Sequence, residues 1–437
     1  MKRQPWLRLA AVLAAGSLIA AACGDDDDDA AAEDGDEAAE DGAPAGELEP
    51  VDGFDGETIT VGALTPTSGL VAIIGNPLTA GNQAYIDSVN DEGGVAGQYP
   101  IELLVQDTAY DPSQASQAYA STVDEVVLYV QLLGTPIVDA LLPDLIDDDV
   151  VAGPATLDSD WVREPNLIAI GAPYQIQAIN GIDWYFTEEG DEDETLCTLA
   201  SDDEYGDAGV AGAQFAADEL GIEIAEEATF PAPTAERPAQ DFVAQISQLQ
   251  DAECEVIWFV ATPTDTGAFA DALNENPDYN PTVLAQSPTW LGAFAGNAYM
   301  QEHFYIVAEG PAYGDESAPG MADMVSVQEE YAPADENVDI YFQFGYNEAR
   351  AAVQVLEQAV EMGDLSREGI LAALEEVDTL TFDGLLGDYQ YGPADERVPP
   401  TTNSIFRPSA ELAPPAGTGL ELVVQDYEAE YAADFEF

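Results

Sequence analysis

Positively charged side chains are almost missing from this 437-residue chain, which carries nine Lys and Arg against 86 Asp and Glu. Three of the nine, Lys2, Arg3 and Arg8, lie at the N-terminus, and no lysine follows them. Nucleic-acid binding needs cationic side chains that displace counterions from phosphates, and a polybasic membrane contact needs them as well. The composition therefore excludes both kinds of function.

Histidine and cysteine are also scarce. His303 is the only histidine, and Cys23, Cys197 and Cys254 are the only cysteines. Zinc-protease, nucleophile-elbow and phosphate-loop motifs do not occur, so a catalytic triad or a histidine-rich metal centre lacks its residues. Paired carboxylates are abundant and keep a secreted hydrolase of the acid type open as an alternative. We expect a binding protein without cofactor or metal rather than an enzyme.

The acidic residues are spread along the whole chain, including the well-patterned region at 147–149 and 226–227, and the formal net charge is −77. An acidic disordered tail would explain only part of this excess. Such a chain repels itself in dilute buffer, whereas at about 1 M salt the Debye length falls to about 3 Å and screens most of the repulsion. The composition indicates adaptation to high salt.

The N-terminus carries an export signal. Basic residues precede an apolar stretch from Leu9 to Ala22 that is too short to span a bilayer, so residues 1–22 are predicted to be a signal peptide. The segment 19–23, Ile-Ala-Ala-Ala-Cys, resembles a lipobox, in which Cys23 is acylated and becomes the first residue of the mature chain. An ordinary signal peptide with a chance cysteine is the alternative. Either way we expect an extracytoplasmic protein, and the lipobox predicts a lipid anchor in the cell membrane.

Residues 23–56 consist mainly of Asp, Glu, Ala, Gly and Pro. Such a segment buries too little apolar surface to order itself, so it is predicted to be an acidic disordered tether. A calcium site in its acidic runs is disfavoured because alternating ligand spacing is missing.

From Thr58 onward, strand and helix patterns alternate, which predicts parallel sheets covered by helices. Predicted strands lie at 59–64, 101–105, 126–133, 150–152, 167–171, 196–201, 222–225, 256–261, 282–285 and 305–307. Asn76-Pro77, Asp111-Pro112 and Thr135-Pro136 are predicted to begin helices, since each offers a capping side chain followed by a first-turn proline. The pattern restarts after residue 187, which indicates two lobes of similar size.

Several motifs in this order resemble one known family. They are 61–64 with Ser68-Gly69, the turn 90–95, 106–108 before Asp111-Pro112, 153–156, and Tyr205-Gly206. From about Glu57 to the end, the chain is similar to the solute-binding proteins of ABC importers of the branched-chain amino acid type, which have the type I periplasmic binding protein fold. The resemblance implies an α/β protein with two Rossmann-like lobes, parallel sheets, three hinge crossovers and a ligand cleft between the lobes.

The resemblance also implies domain boundaries and partners. Lobe 1 is expected at 57–175 and 309–388, and lobe 2 at 176–308 and 389–437, the latter with a C-terminal tail. Implied partners are a small amino acid, amide or carboxylate ligand, and the permease and ATPase subunits of an importer. We expect a monomer. A sensor without a transport role is a further alternative.

Candidate ligand-binding residues follow from the matching positions. Thr135 starts a helix after a strand and offers a hydroxyl at the positive end of a helix dipole, an anion site that needs no lysine or arginine. The resemblance implies that Thr135 binds the ligand carboxylate. It also implies that Pro154, Ala155 and Thr156 bind the α-ammonium and the carboxylate of an amino acid through a backbone carbonyl and a hydroxyl. Tyr205 matches a tyrosine that closes over the ligand. The alternatives to ligand contact are that Thr135 only caps its helix and that Tyr205 only packs into the surface of its lobe.

Other positions bear on the ligand itself. Ile74 and Trp290 are candidates for the side-chain pocket, or else core residues. Family members that bind amino acids carry an acid where this chain has 286–289, Gln-Ser-Pro-Thr, and an ammonium left unpaired in a closed cleft would be costly. Asp265 is the candidate to replace the missing acid as partner of the ammonium. The alternative is that Asp265 only stabilises the start of its helix. If no acid replaces the missing one, the ligand is expected to lack the amine.

Cys197 and Cys254 each begin a predicted strand of the second lobe. In a Rossmann-like strand order these two strands are neighbours, so an exported protein could join the cysteines in a disulfide. Two buried free thiols are the alternative.

The charge excess generates a test. We expect the melting temperature of the mature protein to rise by well over 10 °C between about 0.1 M and about 2 M KCl, since screening relieves the self-repulsion of the folded state. KCl serves better than sulfate because sulfate also strengthens the burial of apolar surface. A melting temperature that stays level across this range would contradict the adaptation to salt.

Overall fold

A computed structural model describes residues 48–234, 237, 240–333 and 339–437. The predicted signal peptide, the predicted acylation site Cys23 and the tether up to residue 47 lie outside the described residues. The end of the predicted tether, residues 48–56, is ordered, so the prediction of disorder is wrong for this segment. Leu48 and Phe54 are buried in the core of the first lobe, and Phe54 forms a bridge with Ile59. Burial of these side chains and a hydrogen bond from the Thr60 N–H to the Gly53 carbonyl at 2.7 Å hold this segment against the sheet.

The first lobe is built on a parallel sheet with strand order β2-β1-β3-β4. The strands are β1 (Ile59–Thr65), β2 (Ile101–Asp107), β3 (Leu128–Leu133) and β4 (Ala152–Ala155), and the helices between them are α1 (Ala72–Asp91), α2 (Pro112–Thr122) and α3 (Thr135–Asp147). The Asp111 carboxylate accepts hydrogen bonds from the N–H groups of Ser113 and Gln114, at 2.8 and 3.1 Å, so the predicted start of α2 is correct.

Helix α1 begins earlier than predicted. It starts at Ala72 and contains Pro77, whereas the sequence indicated a start at Asn76-Pro77. The carbonyl of Val71 accepts hydrogen bonds from the N–H groups of Ile74 and Gly75, at 2.9 and 3.0 Å, which closes a turn ahead of the proline. The predicted strand 167–171 is reduced to a single bridge between Leu167 and Ala152.

The second lobe follows without interruption. Its elements in chain order are α4 (Tyr174–Trp184), β5 (Leu196–Asp202), α5 (Glu204–Leu220), β6 (Ile224–Pro231), α6 (Val243–Asp251), β7 (Val256–Val260), α7 (Pro263–Asn274), β8 (Thr282–Gln286), α8 (Ala298–His303) and β9 (Phe304–Ala308). The five strands are parallel, in the order β9-β8-β7-β5-β6.

The chain then returns to both lobes. Helices α9 (Met321–Tyr331), α10 (Ile340–Met362) and α11 (Arg367–Glu376), with the short pair β10 (Thr379–Leu380) and β11 (Tyr389–Gln390), contribute to the core of the first lobe. Strands β12 (Asn403–Pro408) and β13 (Leu420–Tyr427) are antiparallel and extend the second sheet beyond β9. The chain thus crosses between the lobes three times, and the predicted fold class is confirmed.

Helix α10 packs closely against α1. A Cβ atom on Gly345 would lie 1.9 Å from the carbonyl oxygen of Leu78, so only glycine allows this approach. The contact brings Leu78 and Tyr341 into one apolar cluster that faces the second lobe. The helix crossing therefore shapes the wall of the space between the lobes.

All six arginines beyond residue 8 bind groups within the chain. Arg163, Arg397 and Arg407 donate to main-chain carbonyls, while Arg237, Arg350 and Arg367 pair with Asp265, Asp383 and Asp124. Arg397 is 1% exposed and binds the carbonyls of Glu164 and Leu167 at 2.8 and 3.0 Å. These cations therefore join distant segments of the fold.

Within the part of the chain that the structure describes, no helix is both long and apolar enough to cross a bilayer.

Cys197 and Cys254 are joined by a disulfide, with their Cα atoms 5.8 Å apart. Pairing of β5 with β7 sets Leu196 opposite Val256, so Cys197 in β5 lies near Cys254, which precedes Val256 by two residues. The bond closes a loop of 57 residues inside the core of the second lobe.

Removal of this disulfide should lower the free energy of unfolding by about 2–4 kcal/mol, because the unfolded chain gains the freedom that the closed loop denies it. Urea unfolding in molar salt compares the wild type with Cys197→Ala/Cys254→Ala. A reductant should reduce the stability of the wild type and leave the double variant unchanged. Equal stability of the two proteins, or free thiols in the mass spectrum of the oxidised wild type, would contradict this result.

Candidate ligand-binding cleft

A cleft between the two lobes encloses about 1070 Å³ of atom-free space, its open mouth included. Most of the lining side chains are apolar or aromatic. The first lobe contributes Val71, Ile74, Leu78, Leu133, Phe344, Leu385 and Leu386, and the second contributes Tyr205, Ala308, Phe406 and Leu420. A mainly apolar cleft with few polar groups is typical of sites that bind small organic molecules.

The start of α3 forms one polar corner of the cleft. Gly134 precedes the helix with φ 111°, and a Cβ atom there would lie 2.4 Å from the Tyr110 ring, so this turn requires glycine. Thr135 is the first helical residue and does not cap the helix with its side chain, contrary to the prediction. Its hydroxyl instead lies 2.6 Å from the hydroxyl of Thr156. The positive end of the α3 dipole therefore faces two hydroxyl groups.

The predicted ligand-binding residues at the end of β4 lie only partly in the cleft. Ala155 and Thr156 line it, whereas Pro154 lies in the strand opposite Leu132 and is not among the lining residues. Burial raises the pKa of the nearby Tyr174 hydroxyl, and hydrogen bonding to Thr156 opposes this rise. Tyr174 thus stays neutral and adds a third O–H group to the corner.

Tyr205 lies at the start of α5 and forms part of the opposite wall. Its ring packs edge-to-face on Tyr174, with ring centroids 5.1 Å apart, and its hydroxyl donates to the carbonyl of Ala261 at 3.3 Å. Thr135 and Tyr205 therefore line the same cleft.

Of the other predicted site residues, Ile74 lines the cleft, while Trp290 and Asp265 do not. Trp290 is buried and donates its indole N–H to the carbonyl of Thr418 at 2.8 Å. Asp265 is fully buried; its carboxylate lies 2.6 Å from the Arg237 guanidinium and accepts the Thr262 hydroxyl at 3.2 Å. Both contacts are made by one carboxylate oxygen, and Asp265 is not among the residues that line the cleft, so the structure does not place it against a ligand there.

The prediction missed a carboxyl group that does face the cleft. Glu309 follows β9, is half-buried, and accepts a hydrogen bond from Nε2 of Gln177. Burial raises the pKa of this carboxyl to about 8, and hydrogen bonds from Gln177 and Ser287 oppose the rise. The signal in the sequence was an acid directly after a buried strand, at the sheet edge where α/β proteins bind ligands.

Tyr341 connects the two lobes across the cleft. It lies at the start of α10 in the first lobe, and its hydroxyl donates to the carbonyls of Trp290 and Pro288, at 2.7 and 3.0 Å, in the second lobe. Burial raises the pKa of Tyr341 well above its ordinary value, so the phenol remains a donor. This contact therefore ties the first lobe to the second across the cleft.

A family model described as periplasmic binding protein matches residues 58–406. The chain therefore belongs to the periplasmic binding protein family, whose members are extracytoplasmic substrate-binding receptors, and the resemblance found in the sequence is confirmed. Among curated proteins, none matches the chain significantly by sequence.

Solved structures share the fold over nearly the whole of their length. The fatty acid ABC transporter substrate-binding protein from Thermomonospora curvata is 24% identical, covers 89% of this chain and 97% of its own, and has a TM-score of 0.77. A valine-bound branched-chain amino acid ABC transporter protein from Thermus thermophilus is 16% identical, with coverages of 86% and 98% and a TM-score of 0.73. A leucine-binding protein from Thermotoga maritima is 14% identical, with coverages of 85% and 99% and a TM-score of 0.67.

The contact between the lobes generates a test. Tyr341→Phe should weaken binding of a cleft ligand about five- to tenfold, because loss of one buried hydrogen bond destabilises the closed form by about 1 kcal/mol. Small-angle scattering of the empty variant should give a larger radius of gyration than that of the wild type.

Tyr313→Phe is the matched control. Tyr313 also lines the cleft, but its hydroxyl donates to Gln328 of the same lobe at 3.1 Å. Equal effects of the two substitutions, or no effect of either, would contradict the bridging role of Tyr341.

Proposed function

We propose that this protein is the lipid-anchored receptor of an ABC importer, and that it captures a small solute with an apolar body and a polar head. Branched-chain and other amino acids, amides and carboxylates form this class. The observation that carries the proposal is the cleft itself, in which an apolar wall from both lobes meets one polar corner at Thr135 and Thr156.

The apolar wall supplies most of the affinity. Removal of apolar surface from water contributes roughly 25 cal/mol per Å², so an aliphatic body enclosed by both lobes favours the closed form. A ligand can shift the equilibrium between open and closed lobes only through contacts that closure makes, and a solute held between α3 and α5 makes such contacts. The closed form is then the species that the permease and ATPase subunits receive.

The polar corner orients the head of the ligand. A carboxylate at the start of α3 meets the positive end of the helix dipole and the hydroxyl groups of Thr135 and Thr156. No arginine is available there, because each of the six beyond residue 8 binds within the fold. Neutral donors in a desolvated cleft replace the salt bridge that other anion sites use.

The relatives support this class of ligand. The three similar structures are a fatty acid ABC transporter substrate-binding protein, a valine-bound protein and a leucine-binding protein. These compounds share a carboxylate head and an apolar body, which is the combination that the cleft can hold.

A hydrolase that uses two carboxylates finds less support. Such a mechanism needs a pair of acids about 5–10 Å apart on either side of the bond to be cut. Among the described residues that line the cleft, Glu309 is the one acid.

A thermal-shift screen in molar salt tests the proposed function. Amino acids, amides and short carboxylates are offered to the wild type and to Thr135→Val/Thr156→Val, which keeps the side-chain shapes but removes both hydroxyls. A hit should raise the melting temperature of the wild type by several degrees at saturating ligand. We expect the double variant to bind the same hit at least tenfold more weakly, because two hydrogen bonds to a charged head are lost.

Thr379→Val is the matched control, since Thr379 is an exposed strand residue that does not line the cleft. It should bind the hit like the wild type. The proposal fails if no compound of these classes shifts the wild type, or if a hit is recovered chemically altered.

A further inference from the structure

The rim of the cleft carries acids on both lobes. In the first lobe, Asp139 lies four residues after Thr135 on α3, and residues at this spacing are neighbours on a helix surface. In the second lobe, Glu204 directly precedes Tyr205 at the start of α5. Thr135 and Tyr205 line the cleft, and α3 contacts α5. The two acids therefore lie just outside the cleft, where the lobes meet.

The charges of the two lobes act on each other across this rim. Partial burial raises the pKa of the Asp139 carboxyl, and the negative charges of Glu204 and Asp160 raise it further. Burial also raises the pKa of the Tyr110 hydroxyl in the first lobe, and Asp203 and Glu204 of the second lobe add to this rise. Two groups of the first lobe thus lie within electrostatic reach of acids of the second. We call Asp139, Asp160, Asp203 and Glu204 the rim acids.

No arginine is directed at the rim acids. Arg163 follows Asp160 by three residues, but it donates to the Asp395 carbonyl at 2.9 Å. The other five arginines that the structure describes bind acids and carbonyls outside this rim. One oxygen of Asp203 is buried and has no hydrogen-bond partner among the described residues. Repulsion among the rim acids is therefore left for dissolved ions to screen.

Glu204 also has an ordinary structural role. It lies in the first turn of α5, where the helix dipole stabilises a negative charge. Asp139 lies beyond the first turn of α3 and has no such role. An effect on helix stability would be confined to one lobe, whereas repulsion between the lobes needs both acids. Variants at the two positions can separate these effects.

We infer that the rim acids make closure of the lobes depend on salt: in dilute salt their repulsion opposes closure, and molar salt screens the repulsion and lets the cleft close. The Debye length is about 8 Å at 0.15 M and about 3 Å at 1 M salt. A receptor that holds its solute between the lobes then binds it more tightly in concentrated salt. This inference goes beyond the proposed function, since it concerns the motion of the lobes and applies to any solute.

A double-mutant cycle tests the repulsion without a ligand. Small-angle scattering compares the wild type, Asp139→Asn, Glu204→Gln and the double variant at about 3 M KCl. The same proteins are compared at the lowest KCl concentration at which circular dichroism shows all of them folded. At low salt each single variant should have a smaller radius of gyration than the wild type, because loss of either charge removes the repulsion between the two. The change in the double variant should be less than the sum of the single changes, and at about 3 M KCl all four radii should agree.

Calorimetric titration with leucine, a probe without net charge, follows closure through binding. Between the low-salt condition and about 3 M KCl, the Kd for leucine should fall about threefold to tenfold more in the wild type than in Asp139→Asn/Glu204→Gln. If leucine does not bind, a hit of the thermal-shift screen takes its place. If the screen gives no hit, the proposed function fails, and the scattering experiment alone decides on the rim acids.

Asp147→Asn/Glu219→Gln is the matched control. It removes the same two charges from the same two helices at their other ends, where both side chains are exposed and outside the cleft. It reduces the net charge equally and should follow the wild type in both experiments. Three results would each overturn the inference: equal compaction by the control, wild-type radius and salt dependence in the rim variant, or single changes that simply add.

Discussion

The shortage of cationic side chains is the constraint on which the rest of this structure depends. Six arginines beyond residue 8 face a large excess of acids, and each of them binds a carbonyl or a carboxylate within the chain. Because these cations connect distant segments, none remains for the cleft. A site for a polar head must then be built from hydroxyl groups and a helix terminus.

Much of the fold could be predicted because its determinants are local. Continuous apolar runs of five to eight residues indicate buried parallel strands, and they coincide with β1, β3, β5 and β7. Asp111 before Pro112 begins α2 as the pattern indicates, since a carboxylate next to a first-turn proline satisfies the free N–H groups. Thr135 and Tyr205 could be found for a related reason, because both follow the carboxyl ends of strands.

The remainder depends on contacts between segments far apart in the chain, which local patterns do not encode. Arg237 lies between β6 and α6 and reaches Asp265 in the first turn of α7, so an acid that resembled a ligand partner is paired inside the lobe. Tyr341, at the start of the returning helix α10, contacts the carbonyls of Pro288 and Trp290, which lie more than 50 residues earlier in the chain. Glu309 was missed because its significance arises from its neighbours Gln177 and Ser287, which come from α4 and from the turn after β8.

The interleaved path of the chain has a consequence for biogenesis. The first lobe includes residues up to 391 in its core, and the sheet of the second lobe ends with β13 near residue 427. A chain that emerges from its N-terminus therefore cannot complete either lobe until almost its full length is present. Each lobe therefore gains its last core segments near the end of synthesis, and its folding depends on contacts between residues far apart in the chain, which slows folding.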